Sequence, residues 1–176
     1  VASYQVGPIM YDYLKTNKGV KSIAFLARNE SDAKNQQVEG VEAAKRLGLN
    51  VVAASDSYEP GTKDFMPVMT KVIKAKPDHI VLSGVAPADA PLLNKAARDL
   101  GFKGTISTET AQDSKILAQV AGDKAKGFMS VGGASTPDIQ SDYMKEFIAA
   151  YKKRVGEWND EAGTKVYALE LILSVL

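Results

Sequence analysis

Five short runs of apolar and β-branched residues recur along the chain: residues 21–27 (KSIAFLA), 50–54 (NVVAA), 78–83 (DHIVLS), 104–107 (GTIS) and 127–131 (GFMSV). Each is bounded by Gly, Pro, Asn or Asp, the pattern of a buried strand. The segments between them carry apolar residues at helical spacing: Val38, Val41, Ala44 and Leu47 before Gly48; Phe65, Val68, Met69, Val72 and Ile73 before Pro77; Leu92, Leu93, Ala96 and Leu100 before Gly101. All three predicted helices stop at a Gly or a Pro. Strands alternating with helices of about a dozen residues form right-handed βαβ units, hence an α/β fold with a parallel sheet and helices on both faces. The HIVLS run is apolar without alternation, as a central strand covered on both faces requires.

The pattern changes after Val131. Residues 132–138 (GGASTPD) form a break of small residues, followed by two predicted helical stretches, 139–155 and 164–176, and no further strand. The second, TKVYALELILSVL, is apolar on nearly every face and is expected to seek burial on another surface or another copy of the chain. The chain opens on Val1-Ala2-Ser3-Tyr4 without an initiator Met or a signal peptide, so it reads as a piece of something processed or trimmed.

Composition removes several function classes. The 22 Lys and Arg nearly balance 21 Asp and Glu, and no basic run exceeds Lys152-Lys153-Arg154, so no footprint for nucleic acid or an anionic membrane is expected. No apolar stretch approaches the roughly 20 residues of a membrane-spanning helix. Cysteine is absent, which excludes disulfides, thiolate catalysis and cysteine metal sites.

In an open α/β sheet, ligands approach the carboxyl ends of the strands, so the informative loops are 27–32, 55–62, 83–90, 107–113 and 131–137. The first turn, ARNESDAKN, contains no glycine and so lacks a dinucleotide fingerprint; a P-loop and a hydrolase nucleophile elbow are also missing. Ser83-Gly84 follows a strand, but the single histidine, His79, opens that same strand at its far end, so no triad is expected and His79 reads as a structural side chain. A phosphoacceptor Asp would stand where Ser83-Gly84 stands, which removes a receiver domain. The carboxylates Glu30, Asp32, Asp56, Glu59, Asp89 and Glu109 are scattered without metal-ligand spacing, so no metal is expected. Asp32, Thr62, Asp89 and Asp113 are expected to cap helices, lining one sheet edge with helix N-termini that suit ligand carboxylates. This is apparatus for recognition without apparatus for reaction.

The stretch from KSIAFLARNESDAK to LLNKAARDLGFKG resembles the second lobe of the branched-chain amino-acid binding proteins, the periplasmic substrate-binding subunits of ABC importers. YEPGTKDF before a helix, the KPDHIVLSG strand and LLNKAARDLGFKG carry the resemblance; GFMSVGGAS (127–135) resembles the crossover back to the first lobe, and VYALELI (166–172) the tyrosine-containing helix packed there. The resemblance implies a type I periplasmic binding fold, a ligand-binding lobe over 1–134 and a helical tail over 135–176 returning towards a first lobe. It implies a non-enzymatic protein without cofactor that closes on an amino acid or related carboxylate and meets membrane permease subunits. Its location would be periplasmic, or extracytoplasmic and membrane-anchored in a Gram-positive.

Carried over by position, the resemblance puts Asp32-Ala33 where relatives often have Tyr-Gly, and Val85 where they often have an aromatic. Glu109, within STETA, matches a carboxylate that commonly faces the ligand's ammonium group. Arg28 at the end of the first strand meets either a ligand carboxylate or a salt-bridge partner. Ser83 and Ala86 at the end of the central strand, and Thr108 beside Glu109, complete the candidate ligand-binding set. Two other readings fit the same fold: an effector-sensing domain of a transcription regulator or receptor, and an α/β enzyme whose catalytic residues lie in sequence not supplied.

Overall fold

The computed structural model describes residues 3–131 and 141–158, with side chains from Val6 onward. The elements are α1 (Ser3–Lys18), β1 (Ser22–Arg28), α2 (Ser31–Arg46), β2 (Asn50–Tyr58), α3 (Met66–Lys74), β3 (His79–Ser83), α4 (Asp89–Asp99), β4 (Thr105–Thr108), α5 (Ser114–Ala121), a 3-10 turn (Gly122–Ala125), β5 (Phe128–Met129) and α6 (Asp142–Val155). The strands form one parallel sheet in the order β2-β1-β3-β4-β5. Strand order reverses after β2, so the crevice between the ends of β1 and β3 is the topological switch point, where open α/β sheets bind ligands.

Side-chain alternation divides the interior into two cores. From β1, Ala24 and Leu26 join Ile80 and Leu82 of β3 and Ile106 of β4 beneath Met69 and Val72 of α3 and Leu93 and Ala97 of α4. Ile23 and Phe25 of β1 and Val81 of β3 point the other way, against Met10, Tyr11 and Leu14 of α1 and Ala43 and Ala44 of α2. Burying each large side chain contributes about 1.5–3 kcal/mol, so these two layers hold the helices to the sheet. All five residues of β3 are buried, as expected of HIVLS, whereas β2 at the sheet edge is only partly covered.

The amino end of the sheet is locked by one side chain. The Asp78 carboxylate accepts from the backbone amides of Lys21 (2.9 Å) and Ser22 (2.8 Å) and from the Ser22 hydroxyl (2.9 Å). The Lys21 amide leads in holding this carboxyl below its usual range, with Ser22 second. His79, fully buried beside it, places Nδ1 2.7 Å from Thr105 Oγ1 and Nε2 2.8 Å from Ser107 Oγ. Burial pushes the imidazole down to about 3, so it is neutral and structural, at the end of the sheet away from the strand-to-helix loops.

Several helix starts differ from expectation. α1 was not among the predicted helices; it holds Gly7 and Pro8, residue types that ordinarily interrupt a helix. α2 opens at Ser31 with no side-chain cap, so Asp32 lies in its first turn instead. Thr62 bonds the Glu59 carbonyl within the preceding turn, and Asp64 accepts from the Met66 amide (2.9 Å) at the start of α3. Asp89 is also a first-turn residue, not a cap. Asp113 does cap, accepting from the amides of Lys115 and Ile116. α6 begins at Asp142 behind the Ser141 cap, three residues later than predicted. The break at 132–138 and the stretch 164–176 lie outside the described residues.

Candidate functional site: the carboxyl edge of the sheet

Two polar clusters stand at the carboxyl edge, one under each helical layer. The first begins with Arg28, the last residue of β1, whose side chain is 26% exposed. Its Nη2 lies 2.9 Å from Glu30 Oε1, so the salt-bridge alternative for Arg28 is occupied, while its buried Nε has no partner. Tyr58, the last residue of β2, donates from its hydroxyl to Asp89 Oδ2 (2.9 Å) at the start of α4, and its ring meets Phe65 edge-on at 5.2 Å. Burial leads in raising the Tyr58 phenol well above its usual value and the Asp89 carboxylate adds to it, while the Arg28 cation and the Ala86 backbone act oppositely. Arg28, Tyr58, Ala86 and Asp89 therefore share one corner.

The second cluster surrounds Glu109, which directly follows β4 and is 5% exposed. Tyr11 of α1 donates its hydroxyl to Glu109 Oε1, while Oε2 is buried without a partner. Burial leads in pushing the Glu109 carboxyl up to about 7; the Tyr11 bond opposes this, and the Glu39 charge on α2 reinforces it. The register puts Ser83 beside it: Ala27 pairs with Ser83, and Leu82 with Thr108, so Ser83 and Glu109 stand next in line on neighbouring strands. Ser83 is fully buried, and its hydroxyl also has no partner. Buried polar atoms without partners are costly.

The remaining candidates are spread between these clusters. Asp32 is exposed on the first turn of α2. Thr108 is buried, with its hydroxyl donating to the Thr110 carbonyl (2.9 Å), which shapes the loop carrying Glu109. Ala86 accepts from the amides of Asp89 (2.9 Å) and Ala90 (3.2 Å), so its carbonyl turns the chain into α4. Val85, where relatives often have an aromatic, is 6% exposed and packs in the core with Tyr58, Phe65 and Leu82.

Sequence reasoning missed Tyr11, because α1 was not recognised, and it missed Tyr58 as the partner of Asp89. The only local signal for Tyr11 was its spacing with Met10 and Leu14, and its contact with Glu109 spans 98 residues. Chemically, the edge offers a guanidinium on one side of the sheet and a carboxyl on the other. The ends of β1 and β4 lie two strand spacings apart, about 10 Å. Among the described residues no group of His, Cys, Asp or Glu is placed to hold a metal ion, and no helix is long and apolar enough to cross a membrane.

A family model described as periplasmic binding protein matches residues 2–176, and the chain belongs to that family of ligand-binding proteins. Its parallel sheet with flanking helices is part of the type I periplasmic binding fold. Among solved structures it is similar to a leucine-binding protein from Thermotoga maritima, with a TM-score of 0.82 at 20% identity, covering 97% of this chain and 48% of that one. An extracellular ligand-binding receptor from Rhodopseudomonas palustris gives 0.84 at 22% identity, covering 98% and 50%. A branched-chain amino acid transporter substrate-binding protein from Streptococcus pneumoniae, solved with isoleucine, gives 0.70 at 22% identity, covering 89% and 44%. The chain thus spans about half the length of these structures. No curated protein matches it.

Proposed function

We propose that residues 1–134 form the second lobe of an extracytoplasmic solute-binding protein of an ABC importer, and that residues 135–176 return towards the first lobe. An amino acid or related small carboxylate is held in the cleft between the lobes, and contacts from both stabilise the closed state that membrane permease subunits accept. The observation that carries this reading is the placement of Arg28 and Glu109 at one sheet edge, Arg28 ending β1 and Glu109 directly following β4. Arg28 serves the carboxylate, in exchange for Glu30, and Glu109 serves the ammonium. Ligand binding shifts the lobe equilibrium only by its differential affinity for the closed form.

A cleft shared by two lobes gives a single lobe only part of the ligand's contacts. Isothermal titration of the 176-residue chain with L-leucine and L-isoleucine is expected to show binding weaker than micromolar. A micromolar complex, about 8 kcal/mol of binding free energy, would contradict the two-lobe cleft.

A further inference from the structure

The Tyr11–Glu109 pair is lodged where α1 and α2 approach each other, and both helices are bare at that point. A Cβ on Gly7 of α1 would lie 2.8 Å from Glu109 Oε1, and one on Gly40 of α2 would lie 2.8 Å from the Tyr11 hydroxyl. Neither position has room for a side chain while the pair is in place. The Tyr11 ring is fully buried and meets Phe25 of β1 edge-on at 5.9 Å, so its hydroxyl cannot swing away from the carboxyl. The loop after β4, the end of β3 and two helices therefore converge on one carboxyl group, with one oxygen bonded and the other not.

We infer that Tyr11 is a positioning residue: its hydroxyl commits Oε1 of Glu109 and leaves Oε2 as the single oxygen offered to an incoming cationic donor. The inference rests on the ligand reading above and adds a residue to it, from a helix that no motif marks. A carboxyl held this way is selective by number as well as by charge, because only one of its oxygens, Oε2, is left without a partner. The groups acting on it are Tyr11 from α1, which favours the ionised form, and Glu39 from α2, which opposes it. With burial leading, the carboxyl titrates near neutrality, so a cation arriving at Oε2 expels its proton.

The test is a carbon-13 NMR titration of the Glu109 carboxyl in the 176-residue chain and its Tyr11→Phe variant. Loss of the hydroxyl is expected to move the midpoint up by roughly half a pH unit or more; an unchanged midpoint overturns the inference. Should the variant fail to fold, the unmodified chain decides: the Tyr11 ring carbon bearing the hydroxyl is expected to shift with the same midpoint as Glu109, and a flat Tyr11 signal overturns the coupling. The ligand reading fails separately. L-Leucine added to the two-lobe protein is expected to depress the Glu109 midpoint, whereas 4-methylpentanoic acid, which lacks the ammonium, is not. If neither compound moves it, the ammonium assignment is lost while the positioning by Tyr11 stands on its own titration.

Discussion

Gly84 shows how tightly the end of the central strand is specified. Its φ of 58° lies in the left-handed region, and a Cβ there would stand 2.4 Å from the Ala33 Cβ on α2. Backbone strain and overpacking act together, so Gly84→Ala is expected to destabilise the chain by about 3 kcal/mol in urea denaturation. Glu109 and His79 then set opposite pH trends. The folded Glu109 carboxyl titrates above its ordinary 4.5, at about 7, so its contribution to stability is fully present below 4.5 and is lost as pH rises towards 7. Glu109→Gln removes that loss: the variant is expected to gain on the order of 2 kcal/mol over the parent at pH 8 and little at pH 4. His79 is neutral in the fold down to about 3, so its contribution is present above 6.5 and is lost as pH falls. Chemical denaturation of Glu109→Gln across pH 3 to 6.5 is therefore expected to expose a falling acid limb that Glu109 partly offsets in the parent.

Element boundaries carry smaller energies and sharper contrasts. Asp113 caps α5 through two backbone amides, whereas Thr62 bonds within a turn ahead of α3. Asp113→Ala is expected to cost about 1 kcal/mol, and Thr62→Ala less than half of that, by thermal unfolding. This contrast also shows what was legible in the sequence. Strand periodicity is local and strong, so β1 to β5 and their order along the chain follow from the residues themselves. The start of a helix depends on where the preceding strand releases the chain, and β2 runs on to Tyr58, four residues beyond its apolar run. α1 was not predicted, and the Tyr11 bond was missed with it, because a contact across 98 residues leaves no local pattern. Glu109 and Arg28 were visible as charged residues in the right loops. Glu30, two residues from Arg28, is a local partner, whereas Tyr11 becomes a neighbour of Glu109 only once α1 is packed on the sheet. Val85 takes the place of an aromatic in the resemblance, and its burial in the same core as Tyr58 and Phe65 follows from the tertiary fold.

At the scale of the molecule, the described residues present one edge of a sheet with two charged corners, and the solved structures of similar fold are about twice as long. The proposed cleft needs the other lobe, and closure links them. A ligand that binds only the folded protein stabilises it by about 2.7 kcal/mol at a hundredfold excess over Kd. The most direct measurement is thermal unfolding of the two-lobe protein against a panel of aliphatic α-amino acids, with each compound's deaminated acid and decarboxylated amine alongside. At least one intact amino acid is expected to raise Tm in a saturable manner, its two truncated analogues are expected to do so weakly, and Arg28→Ala is expected to abolish the difference between the amino acid and its amine. Equal stabilisation by the amine and the amino acid in the unmodified protein, or no response to any member of the panel, would contradict the account.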